Sequence, residues 1–222
     1  SQPVGTSGQV VDIWDAPVPA AIIIVEGQAE RITADEAGRF ELPAHLTGAQ
    51  TLKVGAKGYV HDYVEVDLTA EAASPRVVLF EKPGANGFHV VGQDGYVPVG
   101  PQRVERMGSE LRSVIGMRSQ PEVEVQSSSL EVVFHTDLKY SEVMQLGLEL
   151  HRLEFQREAE LPGPLGNAPV TVNMWVSSGK VDMQLEPMRS RSDYLVTASD
   201  LAPGAYAFHT QGTLDAASAQ AF

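Results

Sequence analysis

From Val10 to Phe80 apolar and polar residues trade places at short, regular intervals. Val10-Val11-Asp12-Ile13-Trp14 reads as a short strand, and Asp15-Ala16-Pro17-Val18-Pro19 breaks it. Ala20 to Val25 is rich in β-branched residues and stops at Glu26-Gly27. Arg31-Ile32-Thr33 leads into Asp35-Glu36-Ala37-Gly38, whose acidic-then-glycine order is turn chemistry. Phe40 and Leu42 alternate with Arg39 and Glu41. Leu52, Val54 and Ala56 alternate before the Lys57-Gly58 turn. Between Tyr59 and Leu68, Val64, Val66 and Leu68 share one face, with Glu65 and Asp67 on the other. Pro75 to Phe80 closes a set of about seven short strands, the pattern of a Greek-key sandwich.

The segment Glu81-Lys82-Pro83-Gly84-Ala85-Asn86-Gly87 has little to bury and reads as a linker over 83–87. Beyond it the pattern is still mostly that of strands. Phe88 and Val90, the Asp94-Gly95 turn, and Tyr96 and Val97 form a hairpin signal. Val104, Met107, Leu111 and Val114 recur at helical spacing, so 101–115 predicts a short helix or a loop. Val123 and Val125, then Leu130, Val132 and Phe134, alternate as strands. Residues 141–156 fit either period, and the strand is preferred because Gly147 weakens a helix. Pro162-Gly163-Pro164 is a loop. Val170, Val172, Met174 and Val176, a Ser178-Gly179 turn, and Val181, Met183 and Leu185 predict a hairpin. Tyr194–Thr197 and Ala205–Phe208 predict a last pair, joined through Leu201-Ala202-Pro203-Gly204.

The expected fold class is therefore all-β. A seven-stranded sandwich occupies 1–82 and a second, mostly antiparallel β-domain occupies 88–222. Composition agrees: 43% of the 222 residues are hydrophobic, enough for packed cores, and Gly 20 with Pro 14 implies many turns. Net charge is −13, with six basic and twelve acidic side chains up to Pro83 and ten and seventeen after it. Neither half carries a basic stripe, which argues against nucleic acid as a partner. The absence of cysteine excludes disulfides, Cys-zinc sites and thiol chemistry. No apolar run reaches the ~18 residues of a membrane span. The chain begins Ser1-Gln2-Pro3 without Met, which is read as a trimmed export product. A signal peptide, or a lipobox Cys carrying a lipid anchor, would lie upstream. The expected location is the periplasm, cell surface or exterior of a bacterium.

Four pieces then fall in a familiar order: Gly8-x-Val10-x-Asp12, Pro17-Val18-x-x-Ala21-x-Ile23-x-Val25, Thr33-x-Asp35-x-x-Gly38-x-Phe40-x-Leu42, and Leu52-x-Val54-x-x-x-Gly58-Tyr59. Over about residues 5–82 the chain resembles the carboxypeptidase regulatory-like domain, a prealbumin-type β-sandwich. The resemblance implies an accessory module that stabilises, orients or bridges other domains, and it brings no catalytic residues. A hydroxyisourate hydrolase of related fold ends in Tyr-Arg-Gly-Ser; that tetrapeptide does not occur in this sequence. No family is recognised for the second half.

Candidate chemistry is thin. His151-x-x-Glu154 has metal-pair spacing, yet residues three apart on a strand face opposite ways. His45, His61, His89, His135, His151 and His209 are scattered. Asp12, Asp15, Asp35 and Glu36 sit at turns and read as solvated turn acids, since no Asp-x-Asp-x-Asp-Gly calcium loop is present. No Gly-x-Ser-x-Gly elbow or phosphate loop occurs. No catalytic, cofactor or metal residues are assigned, and no cofactor is expected. The remaining candidates for ligand contact are Trp175, Tyr194 and Tyr206, whose rings suit a pyranose face. The expected function is a non-enzymatic exported or envelope module for binding, adhesion or scaffolding, with a protein partner or envelope glycan. The alternative is a carbohydrate-binding protein of the bacterial envelope.

Overall fold

The computed structural model describes residues 5–69, 74–108, 113–161, 170–210 and 220–221. The chain forms two compact units. One is Ser1–Gly84 with Gln93–Gly95 and Met188–Ser190; the other is Ala85–Gly92, Tyr96–Pro187 and Arg191–Phe222.

The first unit is a seven-stranded sandwich: β1 (Thr6–Asp12), β2 (Ile22–Val25), β3 (Arg31–Thr33), β4 (Arg39–Leu42), β5 (Ala49–Gly55), β6 (Asp62–Asp67) and β7 (Arg76–Leu79). One sheet has the order β4-β1-β7 and the other β3-β2-β5-β6. β1 runs antiparallel to β4 and parallel to β7. The period-two pattern sets which residues go inside. Val10, Phe40, Leu42, Val77 and Leu79 from one sheet meet Ile23, Val25, Leu52 and Val54 from the other. Val64 and Val66 of the edge strand β6 are only partly buried against this core.

The turn acids are structural anchors. Asp12 is buried, and its Oδ1 accepts from the backbone N–H of Trp14 at 2.8 Å and of Ala16 at 2.9 Å. Asp35 Oδ1 does the same for Ala37 and Arg39 at the β4 entrance. The reading of Asp12 as a solvated acid is thus corrected: its neighbours' N–H groups need an acceptor at a strand end. Gly38 closes this turn with φ +71°. A Cβ there would lie 2.2 Å from the Val10 carbonyl oxygen.

The second unit begins with the hairpin of β8 (Gly87–Val91) and β9 (Tyr96–Val99). β12 (Leu130–His135), β15 (Gln184–Pro187) and β16 (Asp193–Ala198) complete an antiparallel sheet of order β15-β16-β12-β8-β9. A second sheet holds β10 (Gln102–Gly108), β11 (Ser113–Met117), β13 (Glu149–Leu161), β14 (Val170–Val181), β17 (Ala205–His209) and β18 (Gln220–Ala221), ordered β17-β13-β14-β11-β10-β18. Its two edge strands, β17 and β18, contact each other, so the sheet curls toward closure. Three phenylalanines join the two sheets. Phe88 stacks on Phe134 of its own sheet at 4.5 Å and on Phe208 of the other at 4.8 Å.

Several expectations are corrected in this unit. The 101–115 stretch is two strands, β10 and β11, paired so that Val104 lies opposite Met117 with both buried. Sheet pairing overrides the helical spacing of Val104, Met107 and Val114; Leu111 lies outside the described residues. Val123 and Val125 alternate, yet 121–126 joins no ladder. Residues 141–156 hold both elements. α1 (Tyr140–Gln145) buries Val143, Gly147 at φ +57° stops it, and β13 follows. Ser178-Gly179 is a bulge inside a continuous β14 instead of a hairpin turn, with Arg152 opposite Gly179 and Leu153 opposite Ser177. β16 and β17 do not pair: β16 lies between β15 and β12, and β17 lies on β13. Local alternation cannot say which sheet a strand joins. Pro162-Gly163-Pro164 lies outside the described residues.

Replacing Gly38 by Ala combines a disfavoured φ with a backbone clash, and should destabilise the first unit by about 2–4 kcal/mol. A denaturant midpoint unchanged within error would contradict this. Phe88→Ala removes the middle ring of the stack, and a loss of about 3–5 kcal/mol is expected in urea titration.

Candidate functional site

Two features of the second unit arise where β13, β14 and β17 lie side by side. The first is a cavity of about 980 Å³, large enough for a small organic ligand. Val90, Leu150, Leu153 and Phe208 supply apolar walls, and Trp175 and Tyr206 also line it. The coil between β11 and β12 contributes Glu122 and Glu124, and β13 contributes Arg152 and Glu154.

Tyr206 is held by its own turn. Its hydroxyl donates to the Ala202 carbonyl at 2.5 Å, while Arg152 Nη2 donates to the Pro203 carbonyl at 3.1 Å. The piece Leu201-x-Pro203-Gly204-x-Tyr206, legible in the sequence as a turn plus strand, thus becomes a clamp that fixes a ring at the cavity wall. Trp175 sits opposite Met117 on β11 and Phe155 on β13. Its ring is tilted 53° to that of Phe155 at 5.2 Å, so these two do not form a coplanar platform. Among the described residues its buried indole N–H has no acceptor, the sort of unmet donor that interiors seldom keep.

Tyr194, the third sequence candidate, does not join them. It is buried among core residues, 6.2 Å from the Phe134 ring and 6.5 Å from Tyr140, and is not among the cavity-lining residues. Burial, and then Tyr140, push its phenol pKa up. It is the second residue of β16, opposite Phe134, and the pleat turns it inward.

The second feature is a polar chain. On β13, Glu149 and His151 are two apart and share a face. Register puts His209 of β17 opposite Glu149, and the β14 bulge brings Ser177 beside His151. His151 Nε2 donates to Glu149 Oε2 at 2.9 Å, leaving Nδ1 to accept from Ser177 Oγ at 2.7 Å. Lys180 Nζ donates to Glu149 Oε1 at 2.9 Å. These bonds, His151's first and Lys180's next, hold the Glu149 carboxyl below the usual carboxylate range. Hydroxyl, imidazole and carboxylate stand in the order of a nucleophile relay. Ser177, however, does not line the cavity. With both ring nitrogens engaged, His151 does not meet Glu154, which is exposed at the cavity.

His209 packs edge-on against His151, with ring centroids 4.9 Å apart. It is 3% exposed, and among the described residues neither nitrogen has a hydrogen-bond partner. Burial, and then His151, lower its pKa from 6.5 to about 4, with Glu149 opposing. His89 bonds the Ala85 carbonyl and His135 bonds Asp193, so these two serve other contacts. Glu149, Ser177 and Lys180 were not singled out from the sequence. The Glu149-x-His151 spacing was the one available signal.

The carboxypeptidase regulatory-like domain matches the chain over residues 5–80, the stretch whose motifs resemble it. No curated protein matches the chain.

The unfolded imidazole of His209 titrates near 6.5 and the buried one at about 4. Between those values the unfolded chain holds a proton that the folded chain lacks. Its contribution is complete above about pH 6.5 and is lost as pH falls toward 4, reaching about 3 kcal/mol at the limit. Urea midpoints at pH 7 and pH 5 should therefore differ, and His209→Leu should narrow the difference. An unchanged pH dependence in that variant would show that His209 contributes nothing to it.

Proposed function

We propose that the protein is a non-enzymatic, exported binding module, and that the cavity of its second unit holds the ligand. The observation that carries this reading is the cavity itself: about 980 Å³ of apolar-walled space bordered by the aromatic side chains of Trp175, Tyr206 and Phe208, with Tyr206 clamped in place. The match over residues 5–80 supports a modular, accessory role, since the resemblance brings a sandwich and no chemistry. No helix among the described residues is long and apolar enough to cross a membrane. Acidity in both halves speaks for partners other than nucleic acid.

A second reading, carbohydrate binding, is favoured by one specific placement: Trp175 and Tyr206 border the same cavity. A sugar would set an apolar face on one ring and its hydroxyls on the side chains around it.

Trp14 and Trp175 are the two tryptophans of the chain. In a Trp14→Phe variant, emission therefore reports on Trp175 alone. Titration with neutral oligosaccharides and with short-chain amphiphiles should give a saturable emission change with one of the two sets. The binding set should also raise the thermal midpoint, with stabilisation of about 2.7 kcal/mol at a hundredfold excess over Kd. Silence from both sets would overturn the cavity reading, and chemical turnover of a bound ligand would overturn the non-enzymatic one.

A further inference from the structure

We infer that the cavity of the second unit takes a cationic amphiphile: an apolar body on its walls and an ammonium-type head among its exposed carboxylates. The inference rests on the binding reading above and adds the ligand's chemical class. Three observations point the same way.

The walls come first. Val90, Leu150, Leu153 and Phe208 offer hydrocarbon and an aromatic surface, which reward an apolar body by removing it from water. A ligand that was polar throughout would leave these contacts unused.

Charge comes second. Glu122, Glu124 and Glu154 all line the cavity and are all exposed. Glu122 accepts from the Gln102 amide and Glu124 from the Gln126 amide, so two of the three are oriented by neutral donors that leave their charge intact. Among the described residues none of the three is within ion-pair distance of Lys, Arg or His. Among the described residues Arg152 is the one basic side chain on the lining; its guanidinium donates to the Pro203 carbonyl and lies against Gly204. The net sign is negative, so an anionic head would be repelled and a cationic one drawn in.

The rings come third. Trp175 and Tyr206 border the same space, and the faces of indole and phenol attract ammonium groups. Because the Tyr206 hydroxyl is tied to Ala202, its ring need not be ordered when the ligand arrives. Carboxylates and aromatic faces together favour a cation. Carboxylates alone would equally suit a bare metal ion, which has no use for the apolar walls.

The test is calorimetric titration of the full chain with three ten-carbon probes, each below its micelle concentration: decyltrimethylammonium, decyl glucoside and decyl sulfate. The ammonium should bind about tenfold or more tighter than the glucoside, since several exposed charge pairs and a cation–π contact each add a fraction of a decade. The sulfate should bind weakest. In a Glu122→Gln, Glu124→Gln, Glu154→Gln variant the ammonium should lose that advantage over the glucoside. These three sites are exposed, so the variant should fold, and an unchanged circular dichroism spectrum would check this. Equal binding of ammonium and glucoside, or an unaltered preference in the triple variant, would overturn the cationic class and leave the binding module standing. No binding of any probe would overturn both. Tighter binding of the sulfate would overturn the charge argument outright.

Discussion

Strand β13 has to serve both of its faces at once, and the arrangement of the second unit follows from that. Over residues 150–153 its backbone pairs with β14 on one side and β17 on the other, so that stretch cannot shift register without breaking two ladders. Leu150 turns toward the core that includes Phe88, Phe134 and Phe208. One residue away on each side, Glu149 and His151 face the opposite direction. Burying an imidazole there is tolerable only because Glu149 and Ser177 occupy both of its nitrogens. Farther along, Arg152 and Glu154 reach the cavity.

The bulge in β14 follows from the same constraint. Without an extra residue at Ser178, the strand could not keep Lys180 opposite His151 and Ser177 opposite Leu153. It places Ser177 where the His151 ring needs a donor. The resulting chain of Ser177, His151, Glu149 and Lys180 has the order of a nucleophile relay, and Ser177 is not among the residues that line the cavity. His209 shows the cost of that packing. It is enclosed with no hydrogen-bond partner among the described residues, and its imidazole is kept neutral by burial.

The cavity depends on irregular chain as much as on strands. Residues 119–128 carry Val123 and Val125 in an alternating pattern, yet among the described residues 121–126 joins no strand ladder, and it contributes Glu122 and Glu124 to the lining. The turn at 201–204 is fixed from both ends, by Tyr206 on Ala202 and by Arg152 on Pro203. A ligand site bordered by such segments can vary its lining without disturbing the sheets beneath.

The first unit was almost wholly legible in the chain. Its strands are short, their alternation is strict, and Asp35 with Gly38 marks a turn that the structure builds as written, because each signal acts between residues close in sequence. In the second unit, strand existence was legible but partnership was not. The helical spacing over Val104, Met107 and Val114 misled because sheet pairing outweighs local period, and Ser178-Gly179 reads identically as a turn or a bulge until its neighbours are known. The same limit applies to function. The sequence by itself determined two β-rich halves, an acidic surface, and Trp175, Tyr194 and Tyr206 as rings of interest. Only tertiary structure decided that Tyr194 is core, that Trp175 and Tyr206 share a cavity, and that His151 and His209 meet. Those placements are set by register between strands far apart in the chain, and a period of two carries no information about which strand lies alongside.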